Sequence, residues 1–112
     1  MTAAPPLHAG LAAGGWGRLS LVEQLGNVGS EVGRACRWQG QDDRLATNAF
    51  ERALELLDLT LADPRWRSRL KEIARAREVL CDAFTARAEY GATLADLDKY
   101  FLEFALAARM KR

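Results

Sequence analysis

LSLVEQLGNVGSEVGRACRW, residues Leu19–Trp38, decides how the rest of the chain is read. Ser20 has the chemistry of an N-cap, and Glu23 stands three residues on. That is the capping-box spacing, in which each side chain takes up a free backbone N–H of the first turn. Gly40, just past Trp38 and Gln39, suits the left-handed position that stops a helix. At about 100° per residue Leu21, Leu25, Val28, Val32, Ala35 and Cys36 fall on one side. Gly26, Gly29 and Gly33 form a narrow stripe along the edge of that side. Each interior glycine costs about 1 kcal/mol against alanine, so the stripe needs an offsetting contact. Close approach of another backbone, inside a bundle or from another subunit, supplies one. The opposite side carries Glu23, Asn27, Ser30, Glu31, Arg34, Arg37 and Trp38. It reads either as a solvated face with pairs such as Glu31–Arg34, or as a polar contact surface centred on the large apolar Trp38.

Three more helices follow from the same kind of reading. A second runs from about Asp43 to Ala62, with Leu45, Ala46, Ala49, Phe50, Ala53, Leu54, Leu56, Leu57 and Leu61 covering nearly half its circumference. An arc that wide predicts contact with two neighbours in the bundle, or with one neighbour and another subunit. Asp63-Pro64 ends it and starts a third helix, Asp63 as N-cap and Pro64 at the first helical position, where a missing N–H costs nothing. This helix reaches Phe84 and buries Trp66, Leu70, Ile73, Ala74, Leu80, Cys81 and Phe84. Arg77 projects into that arc, either snorkelling with its stem packed or buried against a carboxylate such as Glu31 or an acid of the second helix. Thr93 caps a fourth helix with Asp96 in its first turn, and Leu94, Leu97, Tyr100, Phe101, Phe104, Ala105 and Ala108 form its inward face. No strand-like period of two appears. The expectation is an all-α, antiparallel up-and-down four-helix bundle over residues 16–112, preceded by a flexible tail, residues 1–15, rich in Ala, Gly and Pro.

Composition narrows the function by exclusion. The chain has 112 residues, 49% hydrophobic and 28% charged, and a net charge of +1, so there is no global electrostatic case for nucleic acid or an acidic membrane. No apolar run is long enough to span a bilayer, and the N-terminus lacks the positive charge of a secretory signal. Cys36 and Cys81 read as core thiols in a reducing cytoplasm. The one histidine, His8, falls in the expected tail, which argues against Ser-His-Asp or Cys-His catalysis and His-based metal sites. No glycine-rich loop follows a strand. A non-enzymatic protein without cofactor or metal is expected.

Two surface patterns remain. Arg65, Arg67, Arg69, Lys71, Arg75 and Arg77 load the first half of the third helix, against its macrodipole. The second helix carries net −4 over Asp42–Asp63, so Glu51, Glu55 and Asp58 are candidates to neutralise them. Otherwise Arg65, Arg67, Lys71 and Arg75 are free to meet phosphates of RNA or DNA. The second pattern is apolar: Trp38, Leu59, Leu102 and Leu106 fall outside the core arcs and are candidates for an oligomer or partner interface.

WGRLSLVEQLGNVGSEVGRACRW, FERALELLDLTLADPRWRSRLKEIARAREVLCDAF and DKYFLEFALAAR together carry a resemblance. Over most of residues 16–109 the pattern resembles a group of uncharacterised small bacterial four-helix proteins. More distantly it is similar to 23S rRNA intervening-sequence proteins and to the accessory variability proteins of diversity-generating retroelements. The resemblance implies a non-enzymatic bundle forming a ring-like homo-oligomer, with RNA or a reverse transcriptase as partner. The net charge departs from the strongly basic character of the retroelement accessory proteins. The expected function is an accessory or scaffold protein, self-associating and cytoplasmic, with nucleic-acid binding through the third helix as the alternative.

Overall fold

The computed structural model describes residues 14–86 and 89–110; the expected tail therefore lies, but for Gly14 and Gly15, outside the described residues, as does His8. Helices α1 (Leu21–Trp38), α2 (Asp43–Leu61), α3 (Leu70–Thr85) and α4 (Leu94–Met110) form an all-α antiparallel bundle, with 3-10 turns at Trp16–Arg18 and Pro64–Arg69. The described residues contain no strand. Helix α1 packs along both α2 and α4, whereas α3 leans mainly on α2 and touches α4 sparsely.

Local chemistry sets the helix starts. The Glu23 N–H donates to Ser20 Oγ at 3.2 Å while the Ser20 N–H donates to Glu23 Oε1 at 2.9 Å, closing the capping box of α1. The Asp96 N–H donates to Thr93 Oγ1 at 3.1 Å, and the Thr93 N–H to Asp96 Oδ2 at 2.9 Å. These bonds to Thr93 hold the Asp96 carboxyl below its ordinary range. Asp42 caps α2 through the Leu45 N–H, and Gly40 takes φ +84 in the turn before it.

The glycine stripe faces α4. A Cβ at Gly26 would lie 3.1 Å from Ala105 Cα, one at Gly29 2.8 Å from Phe101 Cβ, and one at Gly33 3.1 Å from Asp98 Oδ1. The descending partners show α4 running antiparallel to α1, and the close approach is made inside the bundle. Phe101, fully buried, thereby reaches the centre of a core built with Leu25, Val28, Val32, Leu56, Leu57 and Leu80. Helix α2 contributes Ala46, Ala49 and Ala53, all buried and all small enough for close packing. Phe50 of α2 stacks on Phe84 of α3, centroids 4.1 Å apart.

Several positions depart from the sequence expectation. Helix α3 starts at Leu70 instead of Pro64, because Trp66 takes φ −105, ψ 24 and breaks the helix at that point. Leu70, at the new start, is 37% exposed, and Ala76 is buried instead. Leu45 and Tyr100, both placed on inward arcs, are 40% and 37% exposed: Leu45 lies in the first turn of α2, and Tyr100 at the α3–α4 boundary with its hydroxyl on Glu72. Glu31, placed on the solvated face, is buried: Oε1 accepts from Arg34 Nη1 at 2.9 Å, and Oε2 has no partner among the described residues. Arg77 keeps its stem packed and its head on Asp58 of α2, at 2.8 and 3.2 Å, which joins the two alternatives. Beyond α3, Ala86 sits at φ 58 and buried Asp82 accepts the N–H groups of Glu89 and Tyr90.

Gly29→Ala should therefore destabilise the fold. Alanine gains about 1 kcal/mol of helix propensity, but forcing α4 outward costs about 1–3 kcal/mol. The net loss is read from urea unfolding. At Gly33 the added methyl meets only the end of the Asp98 side chain, so Gly33→Ala should be neutral or stabilising by up to about 1 kcal/mol.

Candidate interaction surface

The Pro64–Arg69 corner is held by a buried polar network. Gln24, fully buried on α1, donates through Nε2 to the Trp16 carbonyl at 2.9 Å and to Asp63 Oδ2 at 3.1 Å. Its Oε1 accepts from Trp66 Nε1 at 2.9 Å. Trp16 Nε1 donates to Thr60 Oγ1 at 3.1 Å, so two indoles, one amide and one hydroxyl are satisfied together. The sequence reading missed Gln24. The signal was present: it sits three residues after Leu21 and four before Val28, on the core side of α1.

Arg65 belongs to this corner. Its guanidinium forks onto Asp63, with Nη2–Oδ2 at 2.7 Å, and donates to the Leu19 carbonyl at 2.7 Å. It also stacks on Trp66, Cζ 4.4 Å from the ring centroid. The Arg65 hydrogen bonds push the Asp63 pKa down to about 2.

The other cations divide. Arg69 pairs with Glu72 at 2.9 Å; Arg75 lies 3.9 Å from Glu78 and over the Tyr90 ring. Arg67 and Lys71 are exposed and pair with no acid among the described residues. Arg77 alone of the series reaches an acid of α2. The line of Arg67, Lys71 and Arg75 at helical spacing is broken as well, since Arg67 stands on the 3-10 turn and the other two on α3.

Of the four apolar candidates, Leu102 and Leu106 lie one turn apart on the outer side of α4, 50% and 46% exposed. Trp38 is half-buried at the end of α1, and Leu59 is half-buried against the core. The structure thus brings two of the four together. Between α3 and α4 runs an apolar groove of about 330 Å³, floored by Ala76, Val79 and Leu97 and rimmed by Glu72, Arg75 and Tyr100. Tyr100 donates to Glu72 Oε1 at 3.3 Å; burial and the Glu72 charge push its phenol up. A second hollow of about 520 Å³ lies beside Phe50, Arg77, Cys81 and Tyr90, with Arg77 Nη1 3.9 Å from Cys81 Sγ. Among the described residues no helix is long and apolar enough to cross a membrane, and no group of three or more His, Cys, Asp or Glu is placed to hold a metal.

Acid should test the Asp63 corner. In the unfolded chain Asp63 titrates near pH ~3.9, whereas in the fold it stays ionised down to about 2. The folded state binds its proton more weakly, so its stabilisation is complete above pH ~4 and is lost as the pH falls toward 2. Urea midpoints between pH ~5 and pH ~2 should fall more steeply for the wild type than for Asp63→Asn.

Comparison of the chain with protein families, with curated proteins and with solved structures finds no match.

Proposed function

We propose that this protein is a non-catalytic accessory or scaffold protein that acts by self-association and partner binding in the cytoplasm. The observation that supports it is the pair Leu102 and Leu106, left half-exposed on one line of α4 while the leucines of α1 and Leu56, Leu57 and Leu80 are buried. A lone surface leucine has no significance. Two on successive turns, with Ala95 and Met110 exposed on the same helix, make a stripe that a partner can cover. Burying apolar area returns about 25 cal/mol per Å², so two half-covered leucines contribute a few kcal/mol at most and the association is of modest strength. Cys36 and Cys81 are free thiols, as a reducing compartment allows. The resemblance adds RNA or a reverse transcriptase as the kind of partner such a scaffold serves.

A second reading is favoured by one observation: Arg67 on the 3-10 turn and Lys71 at the start of α3 are exposed and pair with no acid among the described residues. Two free cations fit a short stretch of RNA or DNA backbone and nothing larger.

Light scattering across the micromolar range should show species heavier than the 12.4 kDa chain, and Leu102→Glu with Leu106→Glu should lower the mass. A monomer at every concentration defeats the scaffold reading. For the second reading, RNA and DNA binding should weaken with salt at a log–log slope of about −1.4 to −1.8, as expected for two phosphate contacts. It should vanish in Arg67→Glu/Lys71→Glu. Absence of binding at low salt removes it.

A further inference from the structure

We infer that the partner covering α4 is a second copy of this chain, its own α4 lying antiparallel across the first about a two-fold axis level with Phe101. This rests on the self-association reading and adds the surface, the orientation and the register.

The outer side of α4 presents Ala95, Lys99, Leu102 and Leu106, all exposed. Their spacing alternates four and three, which keeps them on one narrow seam of the kind that pairs two helices. Glu103, also exposed, lies beside Lys99 on the same flank. The seam starts with a small residue, Ala95, and carries its two leucines near its middle and end.

Orientation follows from charge. Parallel pairing sets Lys99 beside Lys99 of the second copy, a like-charge contact that opposes association. Antiparallel pairing about the level of Phe101 sets Lys99 level with Glu103 of the second copy, and by symmetry Glu103 level with its Lys99. The same register carries the apolar layers. At ~1.5 Å per residue the two Leu102 side chains come within about 3 Å of one level, and Leu106 within about 1.5 Å of the other copy's Ala95. The order across the seam is then Leu106 on Ala95, Leu102 on Leu102, and Ala95 on Leu106, large against small at both ends. No other seam residue is left facing a like charge.

The contact spans residues 95–106, roughly 17 Å of helix. An interface this narrow falls in the class of weak, reversible associations, below the ~1,200 Å² of a standard complex. The dimer should therefore form in the micromolar range.

The test is charge exchange, read by sedimentation equilibrium of the full chain with circular dichroism as the check on folding. Lys99→Glu and Glu103→Lys each create two like-charge contacts across the axis and should weaken the dimer by about tenfold or more. The double variant Lys99→Glu/Glu103→Lys restores both opposite-charge contacts and should recover the wild-type constant to within about threefold. Both sites are exposed, so the fold survives each change. Single variants that dissociate with no recovery in the double overturn the antiparallel register. Association unaffected by any of the three overturns α4 as the interface while leaving self-association through another face intact. A wild-type monomer at all concentrations overturns both this inference and the scaffold reading.

Discussion

Everything in this bundle depends on how closely the backbones of α1 and α4 approach at Gly29. A side chain there would meet the Cβ of Phe101 at 2.8 Å, so the approach exists only because glycine has no Cβ. That approach lets Phe101 enter the core to full burial, where it joins an apolar cluster drawn from all four helices. The helix-propensity cost of Gly26, Gly29 and Gly33 is offset by this packing. Burying one aromatic side chain and the facing alanines recovers several kcal/mol at the ordinary coefficient for apolar area. The exchange is favourable only if the three glycines face one partner together, and they do.

The second constraint is polar. Where the Trp16 turn meets the α2–α3 junction, a backbone carbonyl, a carboxylate and an indole N–H come together beside the core. Gln24 answers them from the first turn of α1, with Trp16, Trp66 and Asp63 as partners. The amide donates twice and accepts once here, whereas an ionised carboxylate cannot donate and a hydroxyl has only one proton to give. Arg65 then closes the corner from outside by gripping Asp63 and the Leu19 carbonyl. Its charge is therefore engaged in holding the N-terminal turn to the α2–α3 junction, and the surface cations that stay uncommitted are fewer than the sequence suggests.

What was legible in the sequence is what local rules decide. The caps at Ser20–Glu23 and Thr93–Asp96, the turn at Gly40 and the inward set Leu25, Val28 and Val32 follow from short-range hydrogen bonding and helical period. The glycine stripe announced a close approach, but its partner was not legible, since nothing in the spacing distinguishes α4 from another subunit. The late start of α3 was hidden because Pro64 and Asp63 give a proper helix-start signal. Trp66 overrides it by turning its indole toward Gln24, 42 residues away in sequence. Glu31 and Leu45 misled for one reason. Periodicity assigns a direction to each side chain, but the width of the covered arc depends on where the neighbouring axes lie. Of the four interface candidates, Leu59 turned inward because the Trp16 turn folds back over that end of the bundle, hydrogen-bonded to neighbouring Thr60. No pattern within α2 could show that.

The asymmetry of packing bears on which surface can do work. Helix α4 is locked to α1 along the glycine seam, so its outward face is presented by a rigid element, and covering that face costs little ordering entropy beyond the side chains themselves. Helix α3 is placed differently. It touches α4 sparsely, with a groove between them, and its cations are long, mobile side chains, most of them already paired locally with Glu72, Glu78 or Asp58. A phosphate chain binding there would gain two free charges, Arg67 and Lys71, and would compete with existing pairs for any more. In water each such contact is screened within about 10 Å at ordinary salt. Among the described residues nothing covers the rigid apolar stripe of Leu102 and Leu106, which stay about half-exposed. On physical grounds the α4 face is thus the better-founded surface, and the α3 cations would act on a partner only where something else had already brought it near.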